Sequence, residues 1–475
     1  MLPPCFHVSR APSYQRGTFF ASNAPRYPQT LSAIEDVHFP KTDLTDRTFG
    51  IMHPEIHSDI AWNVASGWKK ITDHIFHSDN HVNSYSFPIP LNARKPGELS
   101  RKRAGRLIYE WLEMVETDLT HDAYRYKYMI KTDIKNFYPS IYTHSIPWAL
   151  HTRQYIRGGS RRYNMSLLGN RLDRLFQAAN DGCTNGIPIG PAVSDLIAEI
   201  ILAAVDRQLS PALVQLDILA VRFKDDYRFL CKKETDGAKI LKDLQRNLGS
   251  FSLLLNEEKT ERVALPEGLF RPWRSQYDAV RPSLQSPIDW RSFREVFRRV
   301  LEIDQEFPGT GVIDKFMSDL YQKDYTLRVR VTNKRVDLML SLLMMLANRR
   351  LKALPKILGV IEALMSVGSG VRSVQRIEDG IGFALTEALK EPLDNRYKIA
   401  WLLYFLKSNR LTVPNAQAVR GLWSGSGVTE SICRTVGTNR AVVFKTCPDF
   451  TLFRGVRAAK GAGSMLRHVD VFRSH

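Results

Sequence analysis

Between about residue 50 and residue 265, short runs of β-branched and aromatic residues alternate with stretches of helical period. Tyr128–Thr132 and Leu219–Phe223 are examples of the first kind, and Ala192–Val205 of the second. That mixture predicts one α/β (α+β) domain over 46–270. Past the proline-bearing segment Pro266–Pro287 the apolar positions, mostly Leu, Ile and Met, fall at helical spacing. Two helix pairs can be drawn, 338–346 with 356–365 and 380–389 with 398–407, and their starts are offset by equal steps (380 − 338 = 42; 398 − 356 = 42). Stacked helix-pair repeats have a period of roughly 40–47 residues, but they usually need three or more units, so an irregular bundle is the alternative over 289–475. Residues 1–45, rich in Pro, Ser and aromatics without a period, are expected to form an irregular arm.

Composition narrows the class. The chain has 475 residues and 44% hydrophobic content, enough for two or three ordinary cores. Its 67 Lys and Arg exceed its 49 Asp and Glu to give +18, which suggests a phosphate-rich partner. Five cysteines at 5, 183, 231, 433 and 447, with no CxxC pair, argue against a disulfide framework or a Cys-rich zinc site. The longest greasy stretch, Val336–Ala347, is short for a membrane span and contains Asp337. Met1–Arg16 lacks a signal-peptide core. A soluble, unexported protein with no membrane partner is the expectation.

Three acidic positions carry candidate chemistry. In KTDIKNFYPSIY (Lys131–Tyr142) a β-prone run delivers Asp133 at its end, and in VRFKDDYRFL (Val221–Leu230) Asp225 and Asp226 stand between two β-prone flanks. Successive strand residues point to opposite faces, so the pair can share a site only at a tight hairpin turn. With Asp133 beside them, three carboxylates would hold two hard divalent ions, the arrangement for in-line phosphoryl transfer. Between the acidic segments, TNGIPIGPAVSDLIAE (Thr184–Glu199) is a Gly/Pro loop opening an amphipathic helix. Its Gly186, Pro188 and Gly190 would let backbone approach a base pair closely.

In that order the segments resemble motifs A, B and C of reverse transcriptases. LLLNEEKT (Leu253–Thr260) looks like motif D, and the resemblance implies that Lys259 protonates the departing pyrophosphate. Tyr138 matches the family's steric gate, which favours deoxynucleotides over ribonucleotides. Upstream, FPIP (Phe87–Pro90), Lys95, Arg101, Lys102, Arg103 and Arg106 resemble the fingers that grip the incoming triphosphate. The wording FYPSIYTHSI after Asp133, GIPIGP in motif B and YKIAWLLY (Tyr397–Tyr404) look like the bacterial abortive-infection, defence-associated reverse transcriptases.

That resemblance implies fingers and palm followed by an all-α, HEAT-like C-terminal domain, and DNA synthesis from dNTPs with two Mg²⁺ ions, Mn²⁺ being the alternative. It implies an anti-phage role in the bacterial cytoplasm and allows protein-primed, template-independent synthesis, an RNA template or associated non-coding RNA, and a homo-oligomer. Ile189 stands where general reverse transcriptases carry Gln, and Lys224 where a small residue is common. A retron- or maturase-like enzyme and a non-catalytic nucleic-acid scaffold are the rival readings.

Two further patterns add little. His53, His57, His74, His77 and His81 crowd one stretch, but Pro54 breaks the first helical pair and no cysteine is near, so surface or core histidines are the better reading. Asn164-Met165-Ser166 matches a glycosylation acceptor that would be inert without export.

Overall fold

The computed structural model describes residues 6–8, 31–40, 45–88, 119–367, 371–421, 441–442, 450–452 and 465. The chain divides into two compact units, 12–35 with 50–270, and 1–11 with 36–49 and 271–475.

The first unit is built on a five-stranded sheet of order β4-β6-β7-β5-β8, from Val82–Ser84 (β4), Tyr128–Ile134 (β5), Leu219–Phe223 (β6), Asp226–Cys231 (β7) and Leu255–Ala264 (β8). The β4–β6 pair is parallel and the other neighbours are antiparallel. Six helices bury one face: Pro54–Ser66 (α1), Trp68–Ile75 (α2), Ser145–His151 (α4), Leu168–Ala179 (α5), Ala192–Gln215 (α6) and Glu234–Gly249 (α7); the short turn Phe137–Ser140 is α3.

Strand alternation sorts the side chains. Ile130, Ile134, Ala220, Tyr227, Phe229 and Cys231 join the helix-side core, whereas Met129, Val221, Phe223 and Leu230 join a smaller cluster on the other face. Helix α6 runs longer than the Ala192–Val205 period suggests. It is buried on most sides from Val193 to Leu213, so tertiary packing carries it through Pro211.

The second unit contains three successive helix pairs: Trp290–Glu306 (α8) with Val312–Asp319 (α9), Asn333–Arg349 (α10) with Leu354–Val367 (α11), and Val371–Ala388 (α12) with Arg396–Ser408 (α13). The second helices of the pairs start 42 residues apart twice (354 − 312 = 42; 396 − 354 = 42). Phe293 and Phe297 of α8 pack on Phe316 of α9. Asp304 of α8 accepts from Arg349 and Arg350 at the end of α10, at 2.9 and 3.0 Å, and Lys356 of α11 donates to Ser318 of α9 at 3.1 Å. Arg376 of α12 pairs with Asp337 of α10.

Three expectations are corrected. The stretch 1–45 is not irregular throughout, because it contains Phe6–Val8 (β1) and Glu35–Pro40 (β2), the latter paired with Asp46–Ile51 (β3). The region 289–475 is not purely helical, because Ala441–Val442 (β9) and Phe450–Leu452 (β10) form an antiparallel sheet of order β1-β10-β9. Pairing partners more than 400 residues apart leave no local sign in so short a strand. A third helix pair, α8–α9, stands beside the two drawn from the sequence, although Phe293, Val296, Phe297, Val300 and Ile303 already give α8 a regular amphipathic stripe. Among the described residues no helix is long and apolar enough to cross a membrane.

Gly169 of α5 marks a close backbone approach to α4. A Cβ there would lie 2.6 Å from Pro147 Cα of α4, which is backbone and cannot rotate away. Gly169→Ala gains helix propensity worth about 1 kcal/mol at most, while overpacking of this kind costs about 1–3 kcal/mol. We expect a net loss of stability, read as a lower urea midpoint; a raised midpoint would show that the helices part without strain.

Candidate active site

Phe223 pairs with Asp226, so Lys224 and Asp225 form the two-residue connection between β6 and β7. Lys224 has φ 50°, in the left-handed region that costs a non-glycine residue about 1 kcal/mol or more. One contact holding that backbone comes from below, where Arg222 Nη1 donates to the Lys224 carbonyl oxygen at 3.2 Å.

Arg222 is wholly buried and faces α6. Its guanidinium donates to Glu199 at 2.9 and 3.0 Å and to Asp206 at 2.7 and 2.9 Å, and both carboxylates are as buried as the arginine. Tyr227 donates to Asp206 at 2.7 Å, and Ser84 and Ser86 donate to Glu199 at 2.7 and 2.8 Å. Burial works against the charge on Arg222, but the two carboxylates hold its pKa well above the usual value. The same network keeps Tyr227 protonated, through burial first and Asp206 second.

The register brings the first aspartate to the turn. Thr132 pairs with Tyr227, so Asp133 and Asp226 are the next facing positions and share the face opposite the helices, as do Met129 and Leu230. Loss of surrounding water, then the negative charges of Asp225 and Asp133, push the Asp226 carboxyl up to about 6, with Arg228 and Lys259 opposing. Asp133 Oδ1 is buried and has no hydrogen-bond partner.

The fourth group arrives through an irregularity in β8. Lys131 faces Glu261 while Asp133 faces Asn256, so two steps on β5 (133 − 131) match five on β8 (261 − 256). The extra residues bulge and place Lys259 Nζ 2.6 Å from Asp133 Oδ2. This hydrogen bond is the main reason the Lys259 ammonium is held above its ordinary pKa. Among the described residues no three His, Cys, Asp or Glu side chains form a ready-made metal cage. The unpartnered Asp133 oxygen and the mutually repelling carboxylates nevertheless fit the donor chemistry of hard divalent ions.

Tyr138 lies on α3, and the Gly/Pro loop docks against it. Ile187 N–H donates to the Tyr138 carbonyl oxygen at 3.0 Å and Gly186 N–H to that of Ile141 at 2.9 Å. Gly186 has φ 85° and Gly190 φ 120°, conformations that glycine adopts without strain. The Tyr138 hydroxyl donates to Asp195 on the first turn of α6, and Lys224 Nζ reaches the same carboxylate oxygen at 3.0 Å. Burial and that carboxylate push the Tyr138 phenol far above its ordinary pKa.

Thus Asp133, Asp225, Asp226, Lys259 and Lys224 meet around one hairpin, with Tyr138, Asp195 and the Gly186–Gly190 loop meeting at Tyr138. Arg101, Arg103, Arg106, Lys95 and Pro90 lie outside the described residues. Sequence reasoning missed Asp195, Arg222, Glu199 and Asp206 as parts of the site. The available signal was charge inside otherwise apolar runs, in the strand LAVRF and the helix from Ala192.

Residues 79–290 match the family model described as reverse transcriptase (RNA-dependent DNA polymerase). The chain carries a reverse-transcriptase domain. It is an enzyme of that class, and the domain implies RNA-directed DNA polymerase activity. Such domains generally use divalent metal ions. No curated protein matches the sequence. Similar solved structures include apo telomerase from Candida tropicalis (12% identity, 81% of this chain and 70% of that chain, TM-score 0.38). Telomerase from Candida albicans in complex with the TWJ fragment of telomeric RNA is another (10% identity, 79% and 66%, TM-score 0.32). These scores are too low to carry a functional argument.

Two outcomes are expected of this reverse-transcriptase domain. Arg222→Met should lower stability by about 3–5 kcal/mol, because it leaves two buried carboxylates without a counter-ion. Adding Glu199→Gln and Asp206→Asn should recover much of the loss in urea melts; no recovery would mean that packing, not charge, holds the hairpin. The raised Asp226 pKa means that the folded protein binds a proton more tightly than the unfolded chain, so its ionisation costs stability above pH 6. Water still reaches Asp226, so Asp226→Asn should stabilise the metal-free protein at pH 8 by only about 1 kcal/mol or less. The gain should vanish as pH falls through 6 toward about 4.

Proposed function

We propose that this reverse transcriptase joins deoxynucleotides into DNA in anti-phage defence, as the abortive-infection enzymes it resembles do. The observation that carries the catalytic part is the convergence of Asp133 and Asp226 on one sheet face beside Asp225 at the turn. Asp133, Asp225 and Asp226 would hold two Mg²⁺ ions, which supply activation of the attacking 3′-oxygen and neutralisation of the leaving pyrophosphate.

The remaining roles belong to the chain's own groups. Lys259, hydrogen-bonded to Asp133, would give a proton to the departing pyrophosphate. Tyr138 closes the sugar side of the nucleotide site and would strike a ribose 2′-hydroxyl. Asp195 and Lys224 are positioning residues that fix the Tyr138 ring through its hydroxyl. Gly186, Pro188 and Gly190 shape the surface for the template base pair, and Arg101, Arg103 and Arg106 grip the triphosphate.

The defence assignment is supported by the wording around motifs A and B and by the three helix pairs, whose 42-residue step suits a HEAT-like domain. Ile189 in place of glutamine removes a polar contact near nucleotide and template, which favours untemplated synthesis primed from a tyrosine of the protein. The match to an RNA-dependent DNA polymerase model favours the retron- or maturase-like alternative.

Incubation with Mg²⁺ and labelled dNTPs, without template or primer, separates these readings. DNA that enters a denaturing gel only after protease digestion is the expected product; product that appears only with an added RNA template and primer means conventional copying. Asp133→Asn or Asp225→Asn should abolish synthesis by either route while leaving the fold intact, and retained activity would sink the site. Tyr138→Ala should admit ribonucleotides, with Asp195→Asn showing a smaller loss of discrimination; unchanged selectivity in both would place the gate elsewhere.

A further inference from the structure

The segment from Ser145 to Leu172 contains five arginines and no Lys, Asp or Glu, in a chain that is otherwise rich in all four. Its middle is exposed and interleaves cations with aromatic rings. Arg153 and Arg157 lie over the Trp148 ring at 4.5 and 5.7 Å, Arg161 lies over Tyr155 at 4.3 Å, and Arg162 over Tyr163 at 4.6 Å. Tyr155 and Tyr163 are 44% and 52% exposed.

We propose that this surface binds single-stranded nucleic acid outside the catalytic cleft. A single exposed tyrosine needs no explanation, but two, each beside an arginine, in an acid-free stretch form a coherent pattern. Each guanidinium centre lies over a ring within cation–π range, and its several N–H donors remain available for phosphate oxygens. Among the described residues none of the four arginines pairs with a carboxylate; Arg153 has only a long contact of 3.5 Å to the Ser250 carbonyl oxygen. Tyrosine faces offer sequence-independent stacking for unpaired bases, and spaced arginines follow a phosphate backbone.

The scaffold beneath is fixed. Ile156 and Met165 are buried, and Arg171, the fifth arginine, donates inward to Asn63 at 2.6 Å and to the Met165 and Ser166 carbonyl oxygens at 2.9 Å. Helix α4, which carries Trp148, packs into the helix-side core, so the surface belongs to the side of the sheet away from Asp133 and Asp226. A strand held there is an incoming or outgoing one, or an RNA that stays bound during synthesis. The inference does not depend on the polymerase reading, because binding can be measured without nucleotides or divalent ions.

Fluorescence anisotropy of the full chain with an unstructured single strand of about 16 nucleotides, as RNA and as DNA, over a range of KCl tests it. Parental binding through the cleft is common to all variants, so only differences count. Arg157→Gln/Arg161→Gln/Arg162→Gln should lower the log–log salt slope by about 2, since each phosphate contact to a single strand contributes about 0.7. Tyr155→Ser/Tyr163→Ser should weaken binding about tenfold or more while leaving the slope unchanged. Preference between the RNA and DNA strands then identifies which one occupies the surface. Parental slope and affinity in both variants, each folded by circular dichroism, would overturn the proposal. So would an equally large loss of duplex DNA binding in the tyrosine variant, because a duplex offers no unstacked bases.

Discussion

The buried pairing of Arg222 with Glu199 and Asp206 is the contact on which the geometry of the acidic hairpin depends. It joins a strand to a helix where neither could otherwise turn a charge inward, and the same guanidinium reaches on to the Lys224 carbonyl in the hairpin turn. Taking three charges out of water is costly, and apolar residues of similar volume would often hold a core as well. What apolar packing lacks is direction. A fork of N–H donors fixed between two carboxylates sets the height and angle of the turn, and so the position of Asp225 and Asp226.

Above that anchor the structure gathers like charges. Burial and two neighbouring carboxylates raise the Asp226 pKa, and the Lys259 ammonium partly offsets the repulsion from a bulge in β8. A site of this kind is at odds with stability in the absence of cations, and the hydrogen-bonded layer below it makes the arrangement tolerable. The second cluster, Tyr138 with Asp195 and Lys224, uses the turn residue again. The lysine that precedes the acidic pair is therefore tied through Asp195 to the Tyr138 ring.

The helical unit rests on a different principle. Its pairs follow one another at a nearly constant step, and the links between them, Asp304 with Arg349 and Arg350, Lys356 with Ser318, and Arg376 with Asp337, join each pair to the next. Short-range contacts of this type need no distant partner, which makes such helices partly legible from local pattern.

Sequence alone determined the identity and order of the chemical groups. Asp133 near a strand end, the Asp225–Asp226 turn and the Gly/Pro loop were readable, because their spacing follows strand and turn geometry over a few residues; Lys259 and Tyr138 were singled out only through the family resemblance. Four of the C-terminal helices were readable for the same reason, through their apolar period. Tertiary structure decided the rest. The facing of Asp133 and Asp226 depends on register between strands nearly a hundred residues apart, and the approach of Lys259 depends on extra residues in β8 that no local pattern marks. Arg222, Glu199 and Asp206 looked like isolated charges in apolar runs until folding joined them, and β1 acquired its meaning only from strands at the far end of the chain. Local chemistry is written in neighbouring residues, whereas long-range pairing is settled by the energy of the whole fold.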